Sequence, residues 1–167
     1  MKIAIISDVH NNLVNLGKTL DFCKKEKVVS LLCCGDLASR ETLDYLADNF
    51  SGEIFFTFGN MDDEHMADFK HVDNYKNINI FADYGEAEFD GRKIAFVHYP
   101  DMAKRLARSG KYSFVYYGHT HKPWEEMVGN CKVLNPGCVT GDRFQPTFAI
   151  WDTKDNDFRL VLLNEIN

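Results

Sequence analysis

Apolar runs and amphipathic stretches alternate through the first third of the chain. Residues 2–7 form a continuous apolar run, as expected of a strand covered on both faces. Residues 12–26 place Leu13, Leu16, Leu20 and Cys23 on one helical face, with Asn11 or Asn12 available as the N-cap. A second apolar run covers 28–34. Residues 40–50 carry Leu43, Leu46, Ala47 and Phe50 at helical spacing, and 53–58 form a third run. Strand, helix, strand, helix, strand in that order predicts a right-handed, parallel βαβαβ half.

The second half changes character. Residues 84–89 and 92–98 flank Asp90-Gly91, a strong hairpin signal. A short helix is expected over about 101–109, then strands near 113–117, 124–128, 131–134, 147–152 and 158–163, with turns at Gly129-Asn130 and Asp155-Asn156. This pattern predicts an antiparallel second part. The polar stretch 61–77 fits either a helix or an ordered loop. No linker or repeat divides residues 1–167, so a single domain is expected.

The ends of the apolar runs carry the chemistry. They close in Ser7-Asp8-Val9-His10, Gly35-Asp36, Gly59-Asn60, His98 and Gly118-His119-Thr120-His121. Open α/β sheets place their ligand crevices at such strand ends. Oxygen and imidazole donors without thiolate suit Mn²⁺, Fe²⁺, Zn²⁺ or Ni²⁺. On an extended backbone, Asp-x-His and His-x-His each send both side chains to one side. Seven candidates (Asp8, His10, Asp36, Asn60, His98, His119 and His121) exceed one tetrahedral site and suit two ions sharing a carboxylate. Two divalent ions against the carboxylates of Asp8 and Asp36 leave a cationic pocket that suits an anionic phosphate ester. The glycines before Asp36, Asn60 and His119 give the backbone room behind each donor.

In this order those motifs resemble the calcineurin-like metallophosphoesterase superfamily. Gly59-Asn60-Met61-Asp62 and Asn135-Pro136-Gly137 further resemble its small phosphodiesterase branch from bacteria and archaea. The resemblance implies an α/β fold, a four-layer α/β/β/α sandwich with two mixed β-sheets. It implies that Asp8, His10, Asp36 and His121 hold one ion, that Asp36, Asn60, His98 and His119 hold the other, and that Asp36 bridges. Two divalent ions are the expected cofactors, with Mn²⁺ first and Ni²⁺, Fe²⁺ or Zn²⁺ as alternatives. The implied reaction is hydrolysis of a small phosphodiester by a hydroxide bridging the ions, with Asp36, Asn60 and His119 as catalytic groups. The alternative function is a protein-binding scaffold on the same fold, like the retromer subunit that resembles this branch. A homodimer fits family members of this size.

Departures from the family pattern bear on mechanism. Larger members have a histidine after the Asn, as proton donor to the leaving group; here the position is Met61. That loss favours esters with good leaving groups. Asn11 stands where a Gly is usual, and it and Asn12 are candidate substrate contacts. Tyr99-Pro100 follows His98 in place of a Gly and shapes the substrate mouth. Cys138 replaces the usual Ser, and Asn135, Pro136 and Gly137 read as a supporting turn.

Other residues have plainer readings. Asp62 reads as a cap or supporting partner rather than a ligand. His65 and His71 read as solvent-facing, Tyr116, Tyr117 and Trp124 as packing, and Arg143 as a surface residue. Five cysteines with no C-x-x-C pair read as small buried apolar residues, and adjacent Cys33 and Cys34 point to opposite faces of a strand. An odd number of such cysteines makes a reducing cytoplasm the expected location. No apolar stretch approaches the ~18 residues of a membrane span. With 19 basic and 25 acidic residues the net charge is −6, and Lys24, Lys25 and Lys27 read as a solvated helix end, so a nucleic-acid partner is not expected.

Overall fold

A computed structural model describes residues 1–63 and 75–166, with the backbone alone at residue 63. His65, His71 and most of the polar stretch around them lie outside the described residues. The chain runs β1 (Lys2–Ile6), α1 (Leu13–Glu26), β2 (Ser30–Cys33), α2 (Arg40–Asn49), β3 (Glu53–Thr57), α3 (Asn60–Asp63), β4 (Ile78–Phe81), β5 (Tyr84–Phe89) and β6 (Arg92–Val97). It continues through α4 (Pro100–Arg108), β7 (Phe114–Tyr117), β8 (Trp124–Val128), β9 (Cys131–Asn135), β10 (Thr147–Asp152) and β11 (Asp157–Leu162), and closes in a 3₁₀ turn at Leu163–Glu165.

Two mixed sheets form, ordered β11-β10-β1-β2-β3-β4 and β5-β6-β7-β9-β8. In the first, β1 to β4 are parallel, as the βαβαβ pattern predicts, and β10 and β11 add antiparallel on the other edge. The second is not the antiparallel unit expected. β6 and β7 pair in parallel, as do β7 and β9, because α4 carries the chain from β6 back to the start of β7. Antiparallel pairing is confined there to the hairpins β5–β6 and β8–β9.

Strand alternation builds three cores, and hence four layers. Ala4 and Ile6 of β1, Leu31 and Cys33 of β2, and Phe148 and Ile150 of β10 face the core they share with α1 and α2. Ile3, Ile5, Leu32, Cys34 and Trp151 face the opposite way, into a core between the sheets with Ile94, Phe96, Phe114 and Tyr116. Ala95, Val97, Val115 and Tyr117 pack on Ala103 and Ala107 of α4. Continuous apolar runs are thus strands covered on both sides. Cys33 and Cys34 fall in different cores, and all five cysteines are buried and free.

Helix starts follow local chemistry. Asn12 caps α1 by accepting from the Asn15 N–H at 3.0 Å, and Ser39 caps α2 through the Thr42 N–H at 3.3 Å. Pro100 occupies the first turn of α4, where its missing N–H leaves no bond unmade, so the helix begins one residue earlier than the apolar spacing indicates. Among the described residues no helix is long and apolar enough to cross a membrane.

Candidate metal centre

β1, β2, β3, β6 and β7 end at one rim, and the loops leaving them bring all seven candidates together. The backbone there is not extended. Asp8, His10, Asp36, His119 and His121 all have φ between +46° and +69°, a left-handed conformation that L-residues adopt at a cost. The extended-strand argument for Asp-x-His and His-x-His is therefore replaced by a stack of tight turns. Two glycines make the turns possible by close approach: a Cβ at Gly59 would meet the Asp36 carboxylate, and one at Gly118 would meet the Ser7 hydroxyl and Asp8.

Two groups of donors result. In the first, His121 Nε2 lies 3.2 Å from Asp8 Oδ1 and 3.3 Å from His10 Nε2. His10 Nε2 lies 3.6 Å from Asp36 Oδ2. In the second, His98 Nε2 stands 3.4 Å from that same Asp36 Oδ2, 3.2 Å from Asn60 Oδ1 and 3.2 Å from His119 Nδ1. Metal–donor bonds of about 2.0–2.2 Å place neighbouring donors roughly 3–3.5 Å apart. Donor atoms of Asp8, His10 and His121, and of Asp8, Asp36 and His98, each form a group able to hold an ion.

The donor chemistry fits a cation. Asp8 Oδ1 is buried with no hydrogen-bond partner, an expensive state for a carboxylate oxygen. His98 Nδ1–H donates to the Cys34 carbonyl at 2.8 Å, and His121 Nδ1–H donates to Asp142 Oδ1 at 2.8 Å. In the neutral rings both Nε2 lone pairs then face other acceptors, an arrangement that needs a positive centre. Protonation shows the same demand. Burial opposes a charged His98, yet Asp36, Asp8 and the Cys34 carbonyl outweigh it and raise its pKa. The adjacent Asp8 carboxylate raises that of His121. Burial works against the Asp8 carboxylate, but His10 and His121 hold its pKa well below the usual range. For His119, burial and the neighbouring His98 lower it.

Supporting groups hold these loops. Asp62 is fully buried and accepts from the N–H groups of Asp36 at 2.7 Å, Gly59 at 2.8 Å and Ala38 at 2.8 Å. Burial pushes its pKa up to about 6 although these N–H groups favour the charged form. Its carboxylate serves the loops rather than the donor groups. Met61 N–H donates to Asp36 Oδ1 at 2.8 Å, leaving Oδ2 between the two histidines. Asn135 braces the His-x-His turn by donating to Gly118 O at 2.9 Å and Thr120 Oγ1 at 3.0 Å.

The candidate substrate contacts divide. Asn11 is exposed, its side-chain Oδ1 accepting from Ser39 Oγ at 2.6 Å and Thr42 Oγ1 at 2.7 Å. Both ends of the Asn12 amide are engaged elsewhere, in the α1 cap and in a bond to Thr140 O at 2.9 Å. The Tyr99 ring stands 5.0 Å from that of His98 and 5.3 Å from that of His119. Tyr116 and Tyr117 are buried, whereas Trp124, expected to pack, is exposed because it sits on β8, an edge strand. Arg143 is exposed. Asp142 has no counterpart in the sequence reading; the only signal was its place in a glycine turn after Asn135-Pro136-Gly137.

Carboxylates, imidazoles and an amide gathered at the strand ends of a four-layer α/β sandwich define a metallophosphoesterase fold. The chain belongs to the calcineurin-like phosphoesterase superfamily, whose domain matches residues 1–156. It is similar to a phosphodiesterase of Methanocaldococcus jannaschii, 32% identical over 166 residues covering 98% of this chain and 99% of the relative. A solved archaeal phosphodiesterase superposes with a TM-score of 0.87 at 31% identity over 97% of this chain and 99% of that one. Vps29 of Chaetomium thermophilum shares the fold at a TM-score of 0.72 and 18% identity, over 97% of this chain and 94% of its own.

Proposed function

We propose that this chain, as a single domain over residues 1–167, is a phosphodiesterase that works with two divalent ions sharing Asp36. The observation that carries this reading is the place of Asp36 Oδ2, 3.6 Å from His10 Nε2 and 3.4 Å from His98 Nε2, at the seam of the two donor groups. Asp8, His10, Asp36 and His121 hold one ion; Asp36, Asn60, His98 and His119 hold the other. Mn²⁺ is the preferred occupant, with Ni²⁺, Fe²⁺ and Zn²⁺ as alternatives. When bound, such a pair supplies Lewis acidity to a phosphoryl oxygen and lowers the pKa of water from 15.7 toward ~7.

The protein's own groups orient and stabilise. His119 has Nδ1 toward Asn60 and sits at the exposed side of the cluster, where it would stabilise negative charge developing on the phosphoryl oxygens. Asn11 and Tyr99 flank the mouth as substrate contacts, while Asn12 fixes the loop beneath. Met61 offers no proton to the departing alkoxide, so the reading favours good leaving groups. Similarity to archaeal phosphodiesterases supports a small phosphodiester substrate. A cytoplasmic location and a homodimer belong to the same reading.

Hydrolysis of bis(4-nitrophenyl) phosphate by the Mn²⁺- or Ni²⁺-loaded protein, and its loss in Asp36→Asn, is the expected result. A fully loaded protein inert with both metals would favour the scaffold.

A further inference from the structure

Among the described residues the exposed aromatic side chains are three: Tyr99 at 39%, Trp124 at 52% and Phe144 at 43%. They come from α4's entry, β8 and the loop before β10, yet they share one neighbourhood. Trp124 and Phe144 line a groove of about 440 Å³ together with Pro100, Lys104, Thr120 and Lys122, a size in the range of small-molecule sites. The groove adjoins the metal centre through two lining residues. Its Thr120 lies between His119 and His121, and its Pro100 follows Tyr99, whose ring stands 5.3 Å from that of His119.

The lining chemistry selects an occupant. Flat, exposed rings offer stacking faces, and base–aromatic stacking tolerates any nucleobase. Lys122 Nζ lies 5.7 Å from the centre of the Trp124 ring, and Lys104 Nζ lies 3.3 Å from Glu126. Glu126 lines the groove too and is paired with Lys104, so one net positive charge remains, at Lys122, in a chain of net charge −6. The Lys122 ammonium beside the Trp124 ring suits an anionic phosphate carrying a planar base over a quaternary-ammonium headgroup, the other common partner of aromatic clusters. We propose that this groove seats the base of a nucleoside phosphodiester whose phosphate lies on the metal centre. This deepens the functional reading above and rests on it.

Two diesters with the same 4-nitrophenolate leaving group test the proposal on the Mn²⁺-loaded enzyme, one built on adenosine 5′-phosphate and the other on ethyl phosphate. The expected kcat/KM is about tenfold or more higher for the nucleoside diester. Trp124→Ala and Phe144→Ala collapse that ratio toward one, chiefly through KM. Equal rates in the unaltered enzyme, or a ratio that survives in both variants, overturn the subsite while leaving the phosphodiesterase reading intact. Should neither diester react, the functional reading fails and binding still decides the groove. Trp124 is the exposed one of two tryptophans, so adenosine 5′-monophosphate should quench the fluorescence saturably, and Trp124→Phe should abolish the quench. No quench overturns the subsite.

Discussion

His121 Nδ1 and Asp142 Oδ1 lie 2.8 Å apart, and this contact fixes which nitrogen of His121 faces Asp8 and His10. With the proton held on Nδ1, the Nε2 lone pair points into the first donor group. Asp142→Ala frees the ring to exchange tautomers and rotate. Its metal affinity, by isothermal titration calorimetry, should fall about 10–100-fold. Asp142→Asn keeps an acceptor for Nδ1–H and should lose less. An Ala variant that binds as tightly as the unaltered protein would remove Asp142 from the account.

Asp62 acts on the scaffold instead. Its buried carboxylate closes three backbone N–H groups, two of them at Asp36 and Gly59. Asp62→Ala strands these donors, with a cost of about 2–4 kcal/mol after partial relaxation or water entry. Urea unfolding of the metal-free protein measures it directly. A loss confined to metal binding, with the midpoint unchanged, would instead make Asp62 a ligand.

In the proposed centre, protons and metal compete for the same lone pairs. Raised pKa values at His98 and His121 mean more of each ring is protonated at a given pH, and an ion must displace those protons. Apparent affinity should therefore fall as pH drops from 8 to 6, and binding should release protons. Calorimetry in buffers of different ionisation enthalpy reads the release. Affinity independent of pH would contradict this arrangement of donors.

In the proposed reaction, Met61 limits the range of esters. With Met61 in the place of the family's proton-donating histidine, rates should depend steeply on the pKa of the leaving alcohol. The missing help for a poor leaving group corresponds to about 10²–10⁴-fold. A series of substituted phenyl methyl phosphates gives the slope. A flat series would mean that another group supplies the proton.

Most of the fold was legible because the physics was local. Runs such as Ile3–Ile6 are apolar on both faces only in covered strands, and Asp90-Gly91 marks a hairpin by its turn chemistry alone. The misses were non-local. The parallel pairing of β6, β7 and β9 depends on α4 packing back across the sheet. β4 was not predicted, since its four residues include Asn79 and it holds an edge place beside β3. The donor residues were readable as types at strand ends, but their left-handed backbone was not, because Asp, His and Asn tolerate that conformation without a glycine to mark it. Asp142 was invisible for another reason: it sits 21 residues from its partner His121.

Asp36 stands at the centre of the account, and anomalous diffraction from crystals of the Mn²⁺-loaded protein addresses it directly. Two peaks per chain are expected, one on each side of Asp36 Oδ2, the first bounded by Asp8, His10 and His121 and the second by Asn60, His98 and His119. A single peak, or peaks that leave the Asp36 carboxylate outside bonding distance of either ion, would contradict it.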